Sequence, residues 1–519
     1  MPDQGNEAGR WPGVLLFIAA VVLCWSVLPA LLQTVPHADN IEQLNWAHAL
    51  QWGYLKHPPL PTALLWLAAA LFGPSAFLTY LLAMACVGAS LLLIWRCALL
   101  LTDRPAAFTA LLLSSANYYL MGRGSFLNHN TVMLPFVAAS AWAVLRIVQD
   151  VPGRRSWHLW VVLGLVQALG LLTKYQMAII IAANAVALLA AGPWRRPGRA
   201  LPFAGHGLLC AAATALPLLP HFFWLQQHAY SSFAYAGQNL LADLPLGQRL
   251  WHTLAFMAQQ LGRLAPAVVA LGLAVLLQRL RAFPDGTAAG MAAAAPVDAP
   301  SPPPPAHARL DRAMLLLALV PITLVLALAL LGGVAPQNHW GASSTLLLPL
   351  LLATRLRAAA RLQPVAALGA VIAVQAIAVV WNVVAAFEVP GFHHSFAARP
   401  LAAMALAHWQ QHVKGPLRVV AGPDWDAGAI ALYLPDHPVV LASGDRRQAP
   451  WITDEQLASC GALVLWRPGQ PPEEQVGAAI AARIESPVIL QEHMPRGIVS
   501  SIAAGILAPT AAGCGAPTR

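Results

Sequence analysis

Asp39 and Glu42 close an apolar run that begins near Pro12, inside the stretch ADNIEQLNWAHALQWGYLKHPPLP over residues 38–61. A carboxylate beside a hydrocarbon-length run is costly to desolvate, so a pair of them needs a reason. Two reasons fit. Asp39 could cap a helix running through Trp46, with Glu42 in its first turn. Alternatively, a carboxylate here could take or orient the proton of an attacking hydroxyl. The surrounding Trp46, Trp52, Tyr54, Lys56, His57 and the Pro58-Pro59 turn are ordinary for membrane-interface anchors. They also suit a site for a sugar ring. The residue types alone leave both readings open. His37, His57, His129, His339 and the His393-His394 pair show no helical spacing with an acid of the kind a zinc site uses.

The elements around this stretch are those of a membrane chain. Of 519 residues, 58% are hydrophobic and 10% charged, against roughly 25% charged in a soluble protein. Apolar runs of bilayer length recur, and the sequence predicts about eleven spans, up to thirteen: 12–32, 75–101, 106–121, 131–149, 158–173, 176–192, 201–220, 264–281, 313–333, 342–354 and 364–386. The first is too long for the core of a cleaved leader and is read as a retained span. The net charge of +9 is no nucleic-acid signal, because most of the excess is Arg in short loops. Arg104, Arg154, Arg155, Arg195, Arg196, Arg199, Arg279, Arg281, Arg309, Arg312, Arg355, Arg357 and Arg361 fall on one side. The positive-inside rule makes that side cytoplasmic. The N-terminus is then cytoplasmic and the C-terminus outside.

This sidedness puts the opening stretch, Gly122 to Asn130, a long segment from His221 to Arg263, and Ala335 to Gly341 on the outer face. LPTALLWLAAALFGPS is too short to span before its Gly-Pro break and reads as an interfacial helix. Residues 282–311 are Pro/Ala-rich and read as a disordered cytoplasmic linker. The expected division is a transmembrane catalytic domain over 1–388, with its outer loop at 34–74, and a small extracytoplasmic α/β domain over 389–519. In the latter, RVVAG (418–422), ALYL (431–434), HPVVLAS (437–443) and ALVLW (462–466) read as strands. IVSSIAAGILA (498–508) reads as a strand or buried helix. Cys24, Cys86, Cys97 and Cys210 read as small core residues. Cys460 and Cys514 could form a disulfide if their region faces an oxidising compartment.

In order along the chain stand Asp39, Trp46, Trp52-Gly53-Tyr54 and His57-Pro58-Pro59-Leu60. Gly170-Leu171-Leu172-Thr173-Lys174-Tyr175, His221-Phe222-Phe223-Trp224 with Gln227-His228, and Asn338-His339-Trp340 follow. This combination resembles the glycosyltransferase family 39-like proteins, GT-C membrane enzymes that include protein O-mannosyltransferases and lipid A aminoarabinose transferases. The resemblance implies sugar transfer from a polyprenyl-phosphate donor, such as undecaprenyl phosphate, on the periplasmic side of a bacterial inner membrane. The acceptor would be lipid A or another envelope glycolipid. The alternatives are a protein O-glycosyltransferase of the same fold, or a transporter or flippase of lipid-linked sugars. A polar track within the spans and internal repeats would mark a transporter, and the sequence has neither.

By the same resemblance Asp39 is the base on the acceptor. A departing phosphate must meet cations, which makes Lys174, Arg123, Arg249 and Arg263 the donor-phosphate candidates. Glu42, Trp46, Tyr54, His57, Asn130, His339 and Trp340 are the expected sugar and acceptor contacts. Two departures stand out: Asn40 replaces the second acid of the family's Asp-Glu pair, and Asn130 replaces an acid often found at the start of the fourth span. Fewer hard oxygen ligands disfavour a divalent ion, so turnover without a metal is expected.

Overall fold

The computed structural model describes residues 11–149, 157–192, 194, 200–240, 244–281, 305–355, 362–388, 392–510 and 514. Most of the expected linker, and Arg154, Arg155, Arg195, Arg196, Arg199, Arg357 and Arg361, lie outside the described residues. The helices are α1 (Trp11–Leu32), α2 (Ala38–Trp46), α3 (Leu60–Phe72), α4 (Ala76–Leu101), α5 (Arg104–Ser115), α6 (His129–Gln149), α7 (Trp157–Thr173) and α8 (Met177–Ala191). Then come α9 (Ala200–Ala215), α10 (Leu219–Gln227), α11 (Ser231–Leu240), α12 (Leu246–Arg281), α13 (Pro305–Leu330), α14 (Gly341–Ser344), α15 (Leu348–Arg355) and α16 (Pro364–Glu388). Among the described residues, seven helical stretches are long and apolar enough to cross a membrane, and α3, α7 and α8 are shorter apolar helices. Of α16, Ile372, Ile377, Val380 and Trp381 are exposed, the surface a lipid-facing helix presents.

The chain divides into two compact units. The first comprises Met1–Val22, Ala85–Gly124 and His129–Val379. In it α6 packs against α7, α8 and α13, α7 against α9, and α5 against α12 and α15. Gly164 on α7 faces the Cys210 carbonyl and Ala213 of α9, where a Cβ would collide with backbone. Small residues of this kind let membrane helices approach closely.

Three expectations about this unit change. The segment from His221 to Arg263 is not a loop: it forms α10, α11 and the first half of α12. Its polar residues, including Gln248, Arg249, His252, Gln260 and Arg263, hide the helix from a hydropathy reading. The expected span 342–354 is two short helices, α14 and α15. The expected span 106–121 is helical only to Ser115 and continues as 3-10 turns.

The second unit comprises Leu23–Met84, Ser125–Asn128 and Val380–Arg519. Its C-terminal part holds α17 (Phe392–Ser395), α18 (Ala398–His412), α19 (Asp424–Leu432) and α20 (Asp454–Cys460). The strands are β1 (Val419–Gly422), β2 (Val439–Ala442), β3 (Ala462–Trp466), β4 (Glu485–His493) and β5 (Val499–Leu507), in the order β2-β1-β3-β5-β4. β1 runs parallel to β2 and β3; β5 is antiparallel to β3 and β4. On β1, Val420 joins one apolar cluster while Val419 and Ala421 join the other. Both sheet faces are therefore buried, which is why the sequence shows a continuous apolar run rather than alternation. ALYL is not a strand: Ala431 and Leu432 end α19, and Tyr433 is its C-cap. β4 was not expected at all; its strand is largely exposed. The final apolar run is a strand, β5. Cys460 and Cys514 are joined in a disulfide, with Cα atoms 4.6 Å apart.

Candidate active site

Asp39 sits in the first turn of α2, and the residue at the helix cap is His37, which makes no side-chain capping bond. The capping role for Asp39 is therefore withdrawn. Its Oδ2 accepts a 2.7 Å hydrogen bond from Asn128 Nδ2. The neighbour that fixes this geometry is Asn40. Fully buried, it donates from Nδ2 to Thr79 Oγ1 at 2.8 Å and to the Ser125 carbonyl at 3.3 Å. Its Oδ1 accepts from the Leu127 backbone N–H at 3.0 Å. One amide thus fastens the segment that carries Asn128 to the helix that carries Asp39. An ionised carboxylate could accept from Leu127 but could not donate to Thr79 or Ser125. This accounts for an amide rather than an acid at position 40.

One turn along α2, Glu42 accepts a 2.5 Å bond from Lys56 Nζ. The same ammonium lies 3.9 Å from Asp424 Oδ2. Asp424 is held in turn by Asn45 Nδ2, at 2.7 Å to its side chain and 3.1 Å to its carbonyl. Gly428 makes this meeting possible, since a Cβ there would strike Ile41 and Asn45 of α2. The result is two carboxylates sharing one ammonium. Burial pushes the Glu42 carboxyl up to about 7; Lys56 opposes the rise, while Asp424 and Asp39 add to it. Burial also raises the Asp424 carboxyl, against the pull of Lys56 and Asn45.

The aromatic frame lies in the same unit. Trp46 and Tyr54, both buried, stack with ring centroids 4.9 Å apart, and the His57 ring stands 6.3 Å from Trp46 at a steep angle. Reciprocal backbone bonds between Tyr54 and His57, at 3.0 and 3.2 Å, close a tight turn ahead of Pro58-Pro59. The Tyr54 hydroxyl donates to the Ala49 carbonyl at 2.9 Å. Trp52 is exposed.

The remaining candidates belong to the first unit. Lys174 Nζ donates to Asn130 Oδ1 at 2.6 Å, so these two are brought together. Arg263 lies on α12 with its guanidinium 5.8 and 5.6 Å from the Tyr118 and Tyr119 ring centres. It points to the Asn338 carbonyl at 3.4 Å, an oxygen that also lies 2.7 Å from the Tyr119 hydroxyl and accepts from Gln260 Nε2 at 3.2 Å. Gln176 and Ser344 donate to the Trp340 carbonyl at 2.9 and 2.6 Å. The turn Asn338–Trp340 is therefore pinned by its backbone carbonyls. Arg123 stands on the short 3-10 turn Gly122–Ser125. Arg249 bonds the Leu244 carbonyl at 2.5 Å, just ahead of α12, and the Leu331 carbonyl at 3.4 Å, just past α13. Among the described residues, no three His, Cys, Asp or Glu side chains are grouped to hold a metal ion.

A model of the dolichyl-phosphate-mannose-protein mannosyltransferase family matches residues 56–224. The crystal structure of ArnT from Cupriavidus metallidurans bound to undecaprenyl phosphate superposes with a TM-score of 0.60 at 12% identity, covering 97% of this chain and 99% of that one. The chain has the ArnT fold. The lipid A galacturonosyltransferase RgtD of Rhizobium johnstonii is 29% identical over 143 residues, which is 28% of this chain and 28% of that protein. With seven helical stretches among the described residues long and apolar enough to cross a membrane, the chain keeps an ArnT-like fold over nearly its whole length, while its likeness to RgtD spans under a third of that relative.

Two residues were not singled out by sequence reasoning. Asn128 carried a signal, two positions ahead of the departure at Asn130. Asp424 carried none, because it lies 382 positions beyond Glu42 and only the packing of α19 on α2 brings the two to one lysine.

Proposed function

We propose that this protein is a membrane glycosyltransferase that moves a sugar from a polyprenyl-phosphate donor to an envelope glycolipid such as lipid A. The observation that carries the reading is the Asp39 carboxylate, steadied on one oxygen by Asn128, with the stacked Trp46 and Tyr54 in the same unit. The other oxygen of Asp39 is what an acceptor hydroxyl would meet. In the reaction, the acceptor oxygen attacks the anomeric carbon and the bond to the donor phosphate breaks. Asp39 takes the acceptor proton, and the polyprenyl phosphate leaves with the electron pair. If the acceptor is itself an ionised phosphate, Asp39 positions it instead.

Lys174, fixed on Asn130, and the outward-side arginines Arg123 and Arg263 are the groups assigned to the donor phosphate. Arg249, held on the Leu244 and Leu331 carbonyls, is a further donor-phosphate candidate. Glu42, His57, Asn130, His339 and Trp340 are assigned to sugar and acceptor contacts. The reading includes a cytoplasmic N-terminus, a periplasmic segment 389–519 following the catalytic 1–388, and turnover that survives chelation. The names of two similar proteins, a lipid A galacturonosyltransferase and ArnT bound to undecaprenyl phosphate, support a lipid-phosphate donor and a glycolipid acceptor.

The test is mass spectrometry of lipid A and envelope glycans from a deletion strain, with and without the wild-type gene restored. Loss of one sugar from a glycolipid is the expected result. An unchanged glycolipid profile alongside lost protein glycosylation would redirect the acceptor to protein, and no change in any glycan would refute the reading.

A further inference from the structure

Within the second unit a cleft of about 690 Å³ opens between the last residues of α1, the first residues of α4, the start of α18, and the end of β4. That volume lies in the range of sites for small molecules, roughly 300–1,000 Å³. Its wall holds a guanidinium, Arg399, stacked 5.0 Å over the Tyr433 ring. The polar residues lining the same space include a carboxylate, Glu492, an amide, Gln33, an imidazole, His493, and the hydroxyls of Tyr80 and Tyr433, with Thr34 and Ser75 at its edge. The tyrosines are fixed: Tyr80 donates to Gln33 Oε1 at 2.8 Å, and Tyr433 donates to the Thr34 carbonyl at 3.2 Å. Gln33 continues through its amide to the His37 ring at 3.0 Å, and His37 is the residue from which α2 and Asp39 start.

We infer that this cleft receives the sugar-phosphate headgroup of the anionic acceptor glycolipid, with Arg399 as the counterion of the phosphate. Three features select that occupant. A planar guanidinium backed by an aromatic ring suits a tetrahedral anion. A carboxylate, an amide and two phenols in the same wall suit sugar hydroxyls, which a plain phosphate lacks. Two of the walls are the ends of α1 and α4, apolar helices of bilayer length, and headgroups lie where such helices leave the hydrocarbon. The inference rests on the glycosyltransferase reading for the identity of the acceptor; the cleft itself does not.

The experiment measures binding of the full-length Asp39→Asn protein to lipid A and to its dephosphorylated form, with Arg399→Gln and Arg399→Lys introduced in that background. Losing one charge-assisted contact should weaken binding of the phosphorylated lipid about tenfold. The dephosphorylated lipid should be nearly insensitive, and Arg399→Lys should recover part of the loss. In otherwise wild-type protein, Arg399→Gln should raise KM for the acceptor by a similar factor and leave kcat and the donor KM within about twofold. Equal loss for both lipids, no loss for either, or an effect confined to the donor KM would overturn the proposal. So would inorganic phosphate binding at Arg399 with no lipid binding, which would mark a small-anion site. If the wild type transfers no sugar while the lipid arms behave as expected, the glycosyltransferase reading fails and the headgroup site stands.

Discussion

Asn40 is where a carboxylate would do harm. Asn40→Asp deletes the donor that holds Thr79 and the Ser125 carbonyl, and it buries a charge. Breaking such a buried network costs about 2–4 kcal/mol, so thermal unfolding in detergent should drop by several degrees and activity should fall with it. Glu42 yields a prediction of opposite character. Its folded-state carboxyl titrates at about 7, above its ordinary range of about 4.3. Between those values the folded chain holds a proton that the unfolded chain has released, so rising pH erodes stability across that window. Glu42→Gln removes this dependence. The Tm difference between Glu42→Gln and wild type should therefore shift in favour of the variant from pH 5.5 to pH 8, and parallel melting curves would contradict the assignment. At this scale the sequence disclosed the reactive types but not their partners. The company of Asp39 drew attention to it, without separating a cap from a base. Its bond to Asn128, and the sharing of Lys56 by Glu42 and Asp424, arise from contacts across long loops.

Elements were legible where one face or both faces were uniformly apolar. α1, α4, α6 and α16 match expected spans within a few residues, because hydrophobicity alone defines them. α12 escaped because its first half mixes Arg, Gln and His with apolar residues, and β4 escaped because an exposed strand buries little. ALYL misled for the reverse reason: a short apolar run fits a buried helix end as well as a strand. The disulfide ties α20 to the chain beyond β5. Under denaturing conditions without reductant, thiol titration should count four free cysteines, Cys24, Cys86, Cys97 and Cys210, and reductant should add two more. Reduction should also lower the melting temperature of the C-terminal segment. Six free thiols before reduction would exclude the bond.

For the whole molecule, composition established a polytopic membrane chain, and the ordered motifs pointed to the GT-C family. The number of crossings was less legible. α7 and α8, with 17 and 15 residues, fall short of a full bilayer, and α14 and α15 interrupt an expected span. Sidedness was read from loop arginines, several of which lie outside the described residues. A C-terminal alkaline phosphatase fusion should be active and a C-terminal green fluorescent fusion dark, the pattern of a periplasmic end; the reverse pattern would invert the topology.

The account turns on Asp39. The direct measurement is the rate of sugar transfer from a polyprenyl-phosphate donor to lipid A by purified wild-type and Asp39→Asn protein, matched for melting temperature. Loss of a positioned base should lower kcat about 10²–10⁴-fold with little change in donor KM. Transfer by Asp39→Asn at the wild-type rate would contradict the account.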